Sequence, residues 1–96
     1  MKNKELYRQK KQGELDKWKA EVDKLKAKAS IASADAQIEM NNHVNSLKKR
    51  IKENKTKLSK LADAGEEVWD EIKEGIETSW KTMRSALKEA TAKFKG

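Results

Sequence analysis

An all-α fold of long amphipathic helices, oligomerising through one apolar stripe, is what this chain predicts, and three observations carry the prediction. The 96 residues include no proline and only four glycines, while Lys, Glu, Ala and Leu, which lose little on entering a helix, are abundant. Hydrophobic residues make up 35% and charged residues 41%, too little apolar surface for a globular core of ordinary depth in one small domain. The apolar positions nevertheless recur at helical spacing, which separates the chain from a disordered polyampholyte of similar composition.

Residues 1–14, MKNKELYRQKKQGE, form a basic N-terminal arm in this scheme, charged and without an apolar run. A first long helix is expected over 15–62. Its stripe opens with Leu15, Trp18, Val22, Leu25, Ala29, Ala32 and Ala36, whose gaps alternate three and four as in a coiled-coil seam. It continues through Met40, Val44, Leu47 and Ile51, passes Asn54, and closes with Leu58 and Leu61. A second helix, 63–96, carries the stripe on through Gly65, Val68, Ile72, Ile76, Trp80, Met83, Leu87, Ala90 and Phe94. From Leu15 to Phe94 the steps average about 3.6 residues, the period of a straight α-helix.

The second helix contains an 11-residue repeat. EEVWDEIKEGI aligns with ETSWKTMRSAL, matching Trp69 with Trp80, Ile72 with Met83, Lys73 with Arg84 and Ile76 with Leu87. Eleven residues are close to three turns, so both tryptophans belong on the buried face, where an aromatic at seam spacing is core.

Three geometries fit this pattern, one of them a break in the Asn-rich MNNHVN stretch, residues 40–45. In an antiparallel helical hairpin the chain reverses near residue 63, with Asp63 and Glu66 at capping-box spacing and Gly65 relaxing the turn. Residues 45–60, where seven bases face Glu53 alone, then lie beside residues 61–80, where seven acids face Lys73 alone. The same fold sets Leu58 across from Val68, Leu47 from Trp80 and Met40 from Leu87. In an extended coiled-coil rod the opposite charges pair between chains instead. The hairpin leaves Leu15, Trp18, Val22 and Leu25 overhanging without a partner, so a homodimer in which two hairpins cover each other is the simplest oligomer. The expected self-association residues are Leu15, Trp18, Val22, Leu25, Leu47, Ile51, Leu58, Leu61, Val68, Trp69, Ile72, Ile76, Trp80, Met83, Leu87 and Phe94.

Catalytic chemistry finds no foothold in the pattern. The single histidine, His43, is flanked by asparagines and has no second imidazole or cysteine with which to share a metal. Carboxylate pairs such as Glu67 and Glu71 lie on a wet, many-charged face where nothing raises a pKa for acid–base work. No cofactor and no small-molecule substrate are expected. The formal charge of +7 is the one physicochemical pointer to a partner: nucleic acid or an anionic membrane, contacted through Lys48, Lys49, Arg50 and Lys52. No segment of 18 consecutive apolar residues occurs, and a cytoplasmic location is expected.

At LDKWKAEVDKLKAKA (15–29), ADAQIE (34–39) and LADAGEEVWDEIKEGIETSW (61–80), the chain resembles a family of small bacterial coiled-coil proteins. Tyr7, Leu15, Asp16, Trp18, Leu25, Trp69, Lys73, Gly75 and Trp80 match its pattern, whereas Lys17 and Lys19 stand where the family more often has acid or amide. The resemblance implies a coiled-coil protein of the kind labelled stress-response or hypothetical, with no catalytic residue to carry over.

Overall fold

The computed structural model describes residues 2–94 as three helices, α1 (Lys2–Ala29), α2 (Ala34–Asp63) and α3 (Glu66–Lys93), running up, down and up. Met1, Lys95 and Gly96, at the outer ends of the expected arm and second helix, lie outside the described residues. The bundle measures 51 × 18 × 18 Å between Cα atoms, whereas a continuous rod of this length would reach about 140 Å. It is neither a rod nor a two-helix hairpin.

Two expectations about the elements are corrected. The segment 1–14 is not an arm, because α1 begins at Lys2. Tyr7 and Lys11 extend the stripe upstream of Leu15 at spacings of four, on the same helix face. Lys11 is only 6% exposed, so a cation occupies a core position that apolar spacing alone passes over. Nor is 15–62 one helix. It breaks at Ser30–Ser33, where the Ser30 hydroxyl donates to the Ala27 carbonyl at 2.6 Å and Ser33 takes the extended conformation (φ −60°, ψ 160°) that starts α2. Serine competes with the helix for backbone bonds, which suits it to such a break.

The break lets α1 fold back, and the apolar stripe closes on itself within one chain. Leu15, Trp18, Val22, Leu25, Leu47, Leu58, Leu61, Ile76, Trp80, Met83 and Leu87 form one buried cluster, none more than 6% exposed. Ile51, Trp69, Ile72 and Phe94 pack half-buried against it. Asn54 keeps its place in the stripe and is buried. Val68 does not: it is 44% exposed, and its neighbour Trp69 turns inward instead.

The connection between α2 and α3 is Ala64 and Gly65. Asp63 is the last residue of α2 rather than a cap, and Gly65 starts α3 with no side-chain capping bond. The pairing of α2 with α3 also slips from the expected alignment. Lys57 donates to the Ser79 hydroxyl and Glu39 pairs with Lys93, where the expected alignment sets Lys57 beside Trp69 or Asp70 and Glu39 beside Leu87 or Lys88. In this arrangement the indoles of α3 seat against α1, a helix absent from the two-helix scheme.

Removing the Ile76 side chain, 0% exposed, should cost about 2–5 kcal/mol as Ile76→Ala. Val68→Ala should stay within about 0.5 kcal/mol of the parent. Urea denaturation followed by circular dichroism checks both, and equal costs would restore Val68 to the core.

Candidate functional site

The cations of α2 divide by helix angle. Lys48, Lys52 and Lys55 stand at i, i+4 and i+7 and so share one face. They line a cleft between α2 and α1, across from Arg8, Gln12 and Lys19, with Asp16, Asp23 and Asp63 as the acids among them. Leu15, Val22, Ile51 and Leu58 form the cleft floor. Arg50 lies on the other flank of α2 with Lys57, beside Thr78, Ser79 and Thr82 of α3. Lys49 lines neither cleft. Of the four expected anion contacts, the structure therefore brings Lys48 and Lys52 together, adds Lys55, Lys19 and Arg8 to them, and separates Lys49 and Arg50.

All of these cations are exposed. Among the described residues, ion pairs within 4 Å join Lys11 to Glu14 and Glu77, and Lys93 to Glu39. The basic face of α2 and the acids Glu66, Glu67, Asp70, Glu71 and Glu74 of α3 are thus not paired, contrary to the charge alignment expected from a two-helix reversal. The bundle keeps them on separate surfaces, the acids at the start of α3 and the bases along the α1–α2 side.

On the opposite side, α1 and α3 run parallel and meet through aromatic rings. Tyr7 contacts Trp69 edge-on at 5.8 Å, and Trp18 contacts Trp80 at 5.6 Å. Each pair is offset by the same 62 positions. Applying that offset along the sequence superposes Glu5 on Glu67, Lys11 on Lys73, Gly13 on Gly75, Trp18 on Trp80, Lys19 on Lys81, Leu25 on Leu87 and Lys26 on Lys88. The correspondence is partial, since the same offset sets Leu15 on Glu77 and Val22 on Arg84. The 11-residue tryptophan interval in α3 drew attention to one helix, while its counterpart, Tyr7 to Trp18, was legible in the sequence at the same interval.

The equivalent lysines sit among these rings. Lys11 lies 5.4 Å from the Tyr7 ring centre and 5.5 Å from that of Trp80. Lys73 lies 5.2 Å from Tyr7 and 5.1 Å from Trp69. Ring faces attract such cations, and Lys11 completes its neutralisation on Glu77 at 3.3 Å and Glu14 at 3.5 Å. Tyr7 donates its hydroxyl to Glu77 Oε1 at 2.7 Å. That bond, followed by the nearby lysines, holds the Glu77 carboxyl below the usual glutamate range against an opposing desolvation. Burial, and then the bond to Glu77, raise the Tyr7 phenol. The indole N–H groups of Trp69 and Trp80 are buried and donate to no protein acceptor. This ladder packs α1 against α3: Tyr7, Lys11 and Glu77 are turned on one another, while the two indole N–H groups are left without a protein acceptor.

The expected self-association residues, Val68 apart, are in or against the core of a single chain. Leu15, Trp18, Val22 and Leu25, whose overhang argued for a second chain, are between 1% and 6% exposed within one chain. His43 rests half-buried against the Phe94 ring at 5.3 Å. Among the described residues no group of three or more His, Cys, Asp or Glu is placed to hold a metal ion, and no helix is long and apolar enough to cross a membrane.

No family model, curated protein or solved structure matches the chain. The likeness to small bacterial coiled-coil proteins rests on the quoted residues alone.

A glutamate held low in the folded state contributes stability above its unfolded pKa and loses it as pH falls through the lowered folded value. Tyr7→Phe removes the leading cause, so Glu77 should titrate closer to the ordinary glutamate range, and less stability should be lost on acidification. Carbon-detected NMR titration of the carboxyl, with urea midpoints at several acidic pH values, reads both. An unmoved Glu77 titration would show that the hydroxyl contributes nothing.

Proposed function

We propose that the protein is a non-enzymatic helical binding module that takes the phosphate backbone of nucleic acid along its α1–α2 cleft. The observation that carries this reading is the row Lys48, Lys52 and Lys55 facing Lys19 and Arg8, exposed and in no ion pair among the described residues. Lysines one turn apart present a charge about every 6 Å along the helix, and a polyanion that replaces their counterions gains the entropy of ion release. Asp16, Asp23 and Asp63 in the same cleft weaken the field, which suits reversible, salt-sensitive contact.

The buried tryptophans leave the backbone charges, which carry no sequence information, as the basis of binding. Stacking on bases needs exposed rings, and Trp18 and Trp80 are committed to the core. A membrane surface is the less favoured partner, because the exposed large aliphatic residues lie near opposite ends of the bundle. Leu6 and Val68 are at one end and Ile31 and Ile38 at the other, with no continuous apolar face of the kind interfacial helices insert. The proposal includes the role in bacterial stress physiology that the resemblance implies and the cytoplasmic location expected from the sequence.

Fluorescence binding to a duplex of arbitrary sequence across a salt series tests the proposal. Each of Lys48→Ala, Lys52→Ala and Lys55→Ala should reduce the slope of log affinity against log salt by up to about 0.9. The charge-matched Lys81→Ala, Arg84→Ala and Lys88→Ala should leave the slope unchanged. Equal losses in the two sets would reduce the effect to net charge, and binding to anionic vesicles but not to the duplex would transfer the site to a membrane.

A further inference from the structure

We infer that the link Ser30–Ser33 is a hinge through which two copies of this chain exchange α1, giving a dimer in which α1 and α2 are one continuous helix. The composition of the link is the first argument. It reads Ser-Ile-Ala-Ser, with neither glycine nor proline, so every residue in it can enter a helix. The second argument is phase. Leu25, Ala29, Ala32, Ala36 and Met40 follow one another at gaps of four, three, four and four, so straightening the link keeps the stripes of α1 and α2 on a single face. A break that evolved only to end a helix need not preserve that phase.

The closed link is held locally: Ile31 and Ala32 donate their backbone N–H groups to the Lys28 and Ala29 carbonyls at 3.2 Å, three-residue bonds that a continuous α-helix would replace with four-residue ones. Its side-chain bond is Ser30 to the Ala27 carbonyl, α2 starts at Ser33 without a side-chain cap, and Ile31 stands 87% exposed. Short hinges of this kind invite exchange. Opening costs few contacts because every contact of α1 can be remade: α1 and α2 are antiparallel in the closed molecule, and two straightened helices lying antiparallel place α1 of each copy against α2 and α3 of the other. The pairs Trp18–Trp80, Tyr7–Glu77 and Lys11–Glu77 then form between chains. Where the two long helices cross, the stripe consists of Ala29, Ala32 and Ala36, small enough for close approach. The closed monomer and the exchanged dimer bury the same core, so protein concentration and the conformation of four residues select between them.

The test uses the full chain with Gln12→Cys and Ser59→Cys, exposed positions lining the same α1–α2 cleft in a protein otherwise free of cysteine. A short bismaleimide joins them within one chain in the closed form and between chains in the exchanged form, and light scattering gives the mass before crosslinking. Ser30→Ala with Ser33→Ala favours a continuous helix and should lower the dimerisation midpoint by about tenfold or more, with crosslinks between chains. Ala34→Pro should hold the chain monomeric with crosslinks inside it, because proline is accepted at the first position of α2 and not within a continuous helix. Ser33 already has the extended backbone that a residue before proline adopts. A monomeric mass for the double alanine variant at every concentration overturns the inference. So does a dimer whose crosslinks all lie within single chains, or a dimer that survives Ala34→Pro unchanged.

Discussion

The seating of Trp18 on Trp80 is the contact on which the rest of the arrangement depends. Two large rings at 5.6 Å, one of them fully buried, hold α1 and α3 parallel and in register while keeping their backbones apart. Tyr7 and Trp69 repeat the contact eleven residues upstream on each helix. Two rungs at the same offset determine both the height and the rotation of α1, which one contact could not do. Once α1 is held there, its apolar face has nowhere to go but onto α2 and α3, and the stripe is dry within a single chain.

That placement decides where the charges fall. Lys11 is drawn inward because its position lies on the stripe, and it is tolerated there because ring faces and two carboxylates surround it. A buried cation without such company would cost several kcal/mol. The other bases of α1 and α2 point away from the core, and the α1–α2 side collects Arg8, Lys19, Lys48, Lys52 and Lys55 along one cleft. The acids at the start of α3 are held on a different surface. Cationic and acidic faces that could have neutralised one another in a two-helix fold are left available to solvent and to partners.

The binding reading and the exchange of α1 make separate demands on the molecule. Binding requires only the cleft, whose two walls would come from two chains after exchange and from one chain before it. Exchange requires only the link and the stripe. Under the two proposals together, either form would offer the cleft to a phosphate backbone, and the dimer would present two such clefts on one body, a multivalent arrangement that raises apparent affinity without a new contact.

The sequence by itself determined the helical class, the positions of most core residues and the absence of a break near Asn54, because a 3.6-residue apolar period on a chain without proline admits few other structures. Leu15, Trp18, Ile76, Trp80 and Leu87 were legible in that way, as was a reversal in the region of residues 63–65. Only the tertiary structure decided that the helix breaks at Ser30, that Lys11 belongs inside, that Val68 yields its place to Trp69, and which lysines share a face across two helices. Each of these depends on a neighbour distant in sequence. A serine pair interrupts a helix when folding back buries more than the lost turns were worth, and a lysine enters the core when Tyr7, Trp80 and Glu77 arrive to receive it. Periodicity records how a helix faces its surroundings; it does not record which surroundings a third helix will supply.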